Sequence, residues 1–299
     1  MPELDRLHAA IVRAVAYSDV FDAPLPRSRV HMALDAPAAA PVVDAALDDG
    51  AWADGLLDIG ADDVTLAGRG HLRSTAVERR ALSRRRWVAA RWVGRLLGAL
   101  PFVRYVGVSG SLAVDSADRT ADIDLFLVTA TGRLWVARRI VVGIVRLARL
   151  VGVRLCPNYL LAESALELDD RTAFVAHELT QLVPIGGSAG HEMLLARNAW
   201  AAAFLPNAFT PGPPPGRQDS VFARPGPVRG FVEWLLRAPV FDRLERWELH
   251  RACRLYLAER ADTDEARFDP DCCKGHLIAN GRHALDAFER RLEALGVFP

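Results

Sequence analysis

The chain has 299 residues, about half of them apolar and a quarter charged, with a formal net charge of zero. Its length allows two or three small domains or one large core, and its neutrality removes any global electrostatic argument for nucleic acid or a membrane surface. Lys274 is the only lysine among the 37 basic side chains, which rules out a G-x-x-x-x-G-K-[ST] phosphate loop.

Four cysteines, Cys156, Cys253, Cys272 and Cys273, are scattered or adjacent, so no disulfide framework is expected. Cys272, Cys273 and His276 fall short of a four-ligand zinc pattern. The charged N-terminal stretch MPELDRLHAA does not read as a signal peptide, and a cytoplasmic location is expected. The most apolar helix, Leu134 to Leu150, is interrupted by Arg138, Arg139, Arg146 and Arg149, so no membrane span is expected.

In chain order, Leu4 to Tyr17 has helical apolar spacing, followed by a turn at Asp19 to Pro26. Arg27 to Leu34 and Ala40 to Leu47 predict two further helices, and Trp52 to Leu57 and Asp63 to Leu66 two short strands. Three helices and a hairpin predict a winged-helix-like domain over residues 1–75. Eight aspartates and no Lys, Arg or Glu lie between Asp35 and Thr65, which includes the recognition helix and wing of such a domain. Phosphate would be repelled there, so a packing or protein-contact role is expected and DNA binding is not.

Charge reverses between Arg73 and Arg104, with nine arginines against Glu78 alone. Arg79, Arg80, Arg84, Arg85, Arg86, Arg91 and Arg95 share one predicted helix, which could neutralise a polyanion or pair with the acidic domain before it. A helix is predicted through Glu192 to Phe204. Pro206 to Gly230 reads as a Pro/Gly-rich linker, and two helices follow, Phe231–Arg260 with a break at Pro239 and His276–Leu295.

The chemistry concentrates in Val106 to Val128, VGVSGSLAVDSADRTADIDLFLV. An apolar run ends in Gly110-Ser111, and Asp122 and Asp124 follow after a spacer of about ten residues, leading into a second apolar run. Residues two apart on a strand project from one face. Two carboxylates so placed suit Mg²⁺, which takes one or two carboxylates together with substrate phosphates, and a Gly-Ser step lets backbone N–H groups approach a polyphosphate.

Over about residues 103–163 these features resemble the nucleotidyltransferase superfamily that includes DNA polymerase β and kanamycin nucleotidyltransferase. The order of the flanking segments resembles a bacterial and archaeal nucleotidyltransferase-like family. The resemblance implies an α+β fold, with a nucleotidyltransferase core (a mixed sheet with flanking helices) at 76–205, the linker at 206–230 and a helical region at 231–299. It further implies transfer of an NMP from an NTP such as ATP to a hydroxyl acceptor, with release of pyrophosphate. Gly110 and Ser111 would hold the β- and γ-phosphates, and Asp122 and Asp124 would hold Mg²⁺ or Mn²⁺.

The family also carries a third carboxylate on a strand reached through a helix. Arg133 to Leu150 predicts that helix and Val153 to Ala162 that strand, yet the strand holds no acid. Asn158, which can coordinate a metal through its carbonyl and is a candidate cofactor-binding residue, lies where the carboxylate is expected, and Glu163 falls just beyond. Either Glu163 substitutes as a catalytic residue, or a base comes from elsewhere, with His177-Glu178 as the candidate pair. In the remaining case the protein is a nucleotide-sensing or protein-binding module without turnover, Asn158 being neutral and unable to accept the acceptor's proton.

Overall fold

The computed structural model describes residues 5–209, 227–258, 266–275 and 280–297. It is an α+β structure built on two sheets. Among the described residues no helix is long and apolar enough to cross a membrane.

The N-terminal unit runs α1 (Arg6–Asp19), β1 (Leu25–Pro26), α2 (Arg27–Ala33), α3 (Ala40–Asp49), β2 (Leu57–Ile59) and β3 (Asp63–Leu66). Asp5 caps α1 by accepting from the His8 backbone N–H at 2.8 Å. Its three strands form an antiparallel sheet in the order β1-β3-β2, closed over Ile11, Val15, Val30, Leu34, Leu47 and Val64. Trp52, expected in a strand, instead lies in a 3₁₀ turn. Gly50 at φ 59° and Gly55 at φ 73° break the extended path on either side, and the indole N–H donates to Ala46 O at 2.7 Å.

Helix α4 (Leu72–Gly98) crosses the boundary expected at residue 75 without a break. Its buried positions Trp87, Ala90, Val93 and Leu97 recur every three or four residues and pack into the core of the large sheet. At Gly94 the helix backbone lies close against that sheet: a Cβ there would lie 2.6 Å from the Ile185 carbonyl oxygen.

The large sheet is formed by β4 (Val103–Ser109), β5 (Ile123–Thr129), β6 (Leu155–Ala162), β7 (Val183–Gly186), β8 (Arg267–Asp269) and β9 (Cys272–Lys274) in the order β7-β4-β5-β6-β9-β8. Among the described strands of this sheet only β5 and β6 run parallel, joined through α6 (Leu134–Leu150). The short helix α5 (Gly110–Ala113) follows β4, and α7 (Ala173–Gln181) and α8 (Ser188–Arg197) flank β7.

Alternation along the strands separates two cores. Val106, Val108, Leu125 and Leu127 pack with Trp87, Leu97 and Trp135 on one face. Tyr105, Phe126, Val128 and Leu161 pack with Ala176, Leu179 and Leu205 on the other.

The C-terminal region is not purely helical. After α9 (Pro227–Leu235) and α10 (Pro239–Ala258), the β8–β9 hairpin joins the large sheet alongside β6. Strands of three residues around Pro270-Asp271 are too short to leave an alternation signal. Helix α11 (Asn280–Leu295) then returns to the N-terminal unit, where Arg291 donates to buried Asp19 at 2.7 Å and Val297 completes the small core.

The break at Pro239 is observed. The expected linker is bounded more tightly, because Asn207 is anchored to Ala36 O and the Ala38 N–H, and α9 begins at Pro227. Residues 210–226 of that linker, the end of the predicted helix at 259–260, and His276 lie outside the described residues. Cys272 and Cys273, neighbours on β9, are buried in opposite cores.

Candidate functional site

The strand end where β4 stops and β5 starts carries the polar residues. Ser109 closes β4 directly opposite Asp124 in the antiparallel ladder. Gly110 then takes φ 64°, in the left-handed region that L side chains avoid. A Cβ at this position would stand 2.5 Å from Asp124 Oδ2. Conformation and space therefore both require glycine here.

The loop between the Gly-Ser step and the acidic pair is held from α4. The Trp87 indole N–H donates to Asp115 Oδ1 at 3.0 Å, and the Ala117 N–H donates to buried Ser83 Oγ at 3.2 Å. Arg79 donates to Ser116 Oγ and to the Asp22 carbonyl, bridging the loop and the N-terminal unit. Asp118 accepts from Thr120 N and Oγ1, bonds that hold its carboxyl below the usual range. The supports from Arg79, Ser83 and Trp87 do not stand out in the sequence, since they join residues about 30 or more positions apart.

Asp124 is partly buried, and that burial, with the charge of Asp122 added, pushes its pKa up to about 7 against an opposing hydrogen bond from Asn158. Asp122 is more open and pairs with Arg154 Nε at 2.8 Å.

Asn158 owes its position to a bulge. Leu125 pairs with Pro157 and Phe126 with Tyr159, which leaves Asn158 as the extra residue in β6. Its Nδ2 donates to Asp124 Oδ1 at 3.0 Å, and its Oδ1 accepts from the Cys156 thiol at 3.1 Å. Burial, followed by the charges of Asp124 and Asp122, pushes that thiol up to about 12, so it stays protonated.

Glu163 is not at this site. Because β5 and β6 are parallel, Asp124 lies beside Cys156 while Thr129 lies beside Ala162. The Glu163 N–H bonds Thr129 O at 2.8 Å at the far end of the sheet, roughly 20 Å from Asp124 at about 3.3 Å per strand residue. Its carboxylate lies 3.7 Å from Arg104. As a substitute for the third carboxylate, Glu163 is excluded by strand direction.

The pair His177-Glu178 divides. His177 is buried, stacks on Tyr17 with ring centroids 3.8 Å apart, and is pushed down to about 3 by that burial. It is a neutral contact to the N-terminal unit. Glu178, one position further round α7, lines a cavity of about 340 Å³ whose wall includes Ser109 and Asn158.

No group of three or more His, Cys, Asp or Glu side chains converges among the described residues. Two carboxylates close enough for one to raise the other's pKa are nonetheless a donor set suited to a hard divalent cation that takes its remaining ligands from phosphate and water. The arginines of α4 divide as charge complementarity predicts. Arg73 and Arg80 face buried Asp63, and Arg84, Arg85, Arg91 and Arg95 are exposed.

No family model, curated protein or solved structure matches this chain.

Proposed function

We propose that the protein is a Mg²⁺-dependent nucleotidyltransferase that moves an NMP from an NTP to a hydroxyl acceptor and releases pyrophosphate. The observation that carries this reading is the contact of Gly110 with Asp124. The Gly-Ser step and the second carboxylate are built as one unit at a strand end, with Asp122 beside them. The crossover from β5 through α6 to parallel β6 also supports a nucleotidyltransferase core, and the β1-β3-β2 unit supports a winged-helix-like domain. Its exposed Asp44, Asp49 and Asp54 suit protein contact better than DNA.

In this reading the backbone N–H groups at Gly110 and Ser111 bind the β- and γ-phosphates, and Asp122 and Asp124 hold Mg²⁺ or Mn²⁺. The cation supplies charge neutralisation along the triphosphate. Asn158 orients Asp124 through its amide. Glu178, on the cavity wall, accepts the proton of the attacking hydroxyl. The cytoplasm, where NTPs and Mg²⁺ are plentiful, is the compartment this activity requires.

A second reading has its own observation. Asn158, not a carboxylate, sits against Asp124, which favours a module that binds nucleotide without turning it over. Equilibrium binding of ATP and GTP with and without Mg²⁺ tests what the two readings share. Metal-dependent binding lost in Asp122→Asn/Asp124→Asn is expected, and binding indifferent to both metal and mutation would sink both readings.

A further inference from the structure

The cavity beside Asp124 offers a way to define the acceptor. It opens on the sheet face that carries Asp124 and Phe126, and its wall includes Ser109, the ladder partner of Asp124, and Asn158, bonded to Asp124. A molecule inside is therefore one side chain from the acidic pair. The sheet side of the cavity holds the rings of Phe126 and Tyr159, stacked with centroids 5.0 Å apart and planes 18° from parallel. Val175 and Leu179 of α7 and Leu285 of α11 supply apolar walls. These groups suit a flat ring, which aromatic and aliphatic surfaces bury with little loss of hydrogen bonding.

The charges lining the cavity are mixed in sign. Lys274, the only lysine and nearly buried, is paired with Asp170, and Glu178 and Arg282 also line the wall. An ionic ligand would have to compete with one of these groups, whereas an uncharged one need not. At about 340 Å³ the cavity lies at the lower end of the roughly 300–1,000 Å³ typical of ligand pockets. That is room for a molecule of nucleoside size. The walls come from the sheet, from the segment at Leu168–Thr172, from α7 and from α11, so the ring would be held on several sides, as a compact ligand is.

We propose that this cavity is the acceptor pocket and that the acceptor is a small, uncharged hydroxyl compound carrying a flat ring, not the end of a nucleic acid or a protein side chain. The inference rests on the nucleotidyl-transfer reading. In the reaction it implies, the acceptor oxygen forms a bond to the α-phosphorus while the bond from that phosphorus to the bridging oxygen breaks. Its electron pair leaves with pyrophosphate, and the hydroxyl proton passes to the Glu178 carboxylate.

The test uses the full chain with adenosine and benzyl alcohol as probes in saturation-transfer NMR. Wild type is expected to transfer saturation to the ring protons of at least one probe. Leu285→Trp, which fills the cavity from α11, is expected to cut that signal at least tenfold while Mg²⁺-dependent binding of a fluorescent ATP analogue stays within twofold. Val175→Phe fills the cavity from the facing helix and decides the matter if the first variant loses its cooperative melting transition. Absence of signal from both probes, or a signal that survives both filled cavities, overturns the inference. The two levels separate cleanly. Probe binding without any nucleotidyl transfer removes the transfer reading and leaves a ring-binding pocket. Transfer of label to macromolecules without probe binding removes the pocket inference and leaves the transfer reading.

Discussion

Gly110 and Asp124 are fixed to one another: a single added carbon at residue 110 would stand 2.5 Å from Asp124 Oδ2, on a backbone already at φ 64°. The positive φ alone costs a non-glycine residue about 1–3 kcal/mol, and the carboxylate cannot retreat without leaving Asn158. Gly110→Ala is therefore expected to lower stability by about that amount and to weaken nucleotide binding at least tenfold. Urea unfolding and equilibrium binding check the two effects separately. A variant with wild-type affinity would show that the Gly110–Asp124 contact has no part in the site.

The raised pKa of Asp124 predicts how stability depends on pH. An unfolded aspartate titrates near its ordinary 3.8 and the folded one near 7, so between those values the folded state holds the extra proton. Stability is then highest below about pH 4, falls as pH rises towards 7, and is flat above. Asp124→Asn is expected to remove this contribution, and Mg²⁺ at pH 8 to raise the wild-type melting temperature but not that of the variant. Melting curves from pH 5 to 8 decide it. An unchanged slope in Asp124→Asn would place the titration elsewhere.

The two glutamates proposed from the sequence should behave oppositely. Glu163→Gln lies at the far end of the sheet and is expected to leave nucleotide binding and any transfer unchanged. Glu178→Gln is expected to leave nucleotide affinity within about threefold and to lower the transfer rate about a hundredfold or more, the low end of what a general base contributes. Single-turnover rates on both variants separate these outcomes.

Asn158→Asp would put a third carboxyl against Asp124 in the bulge of β6. We expect Mn²⁺ to bind more tightly to that variant, by a factor of ten or so, and its metal-free form to be less stable above pH 7, since like charges in one site disfavour ionisation. Electron paramagnetic resonance titration of Mn²⁺ measures the first effect without any activity assay. Equal Mn²⁺ affinity in the two proteins would show that residue 158 does not face the cation.

Asp19 ties three parts of the chain together, accepting from Arg69 and from Arg291 of α11 while itself nearly buried. Asp19→Ala is expected to cost about 3 kcal/mol, the lower end for a broken buried pair because both guanidinium groups keep some contact with water. Urea unfolding provides the check.

Much of this architecture could be read from the chain because its signals are local. The apolar spacing of α1, the predicted helix at Arg133 to Leu150 and the apolar runs of β4 and β5 set those elements to within a few residues. The pairing of α4 arginines with the acidic N-terminal unit was legible as opposite charge in adjacent segments. What escaped depended on long-range pairing. The β8–β9 hairpin is too short to carry a period, and its place beside β6 is set by a partner about a hundred residues earlier. Strand direction separates Glu163 from Asp124, a consequence of the α6 crossover that brings β6 back parallel to β5. The Asn158 bulge is likewise a property of the β5–β6 ladder, although residue 158 was identified as the position facing the acids.

The most direct measurement is incubation of the full chain with each α-³²P-labelled NTP and Mg²⁺ or Mn²⁺, with cell extract as the acceptor pool and Asp122→Asn/Asp124→Asn as control. Label is expected to move from one NTP to a small-molecule fraction with wild type only, together with an equal amount of pyrophosphate. Metal-dependent binding of the nucleotide with no labelled product under any condition would contradict transfer and leave a nucleotide sensor built around Asn158.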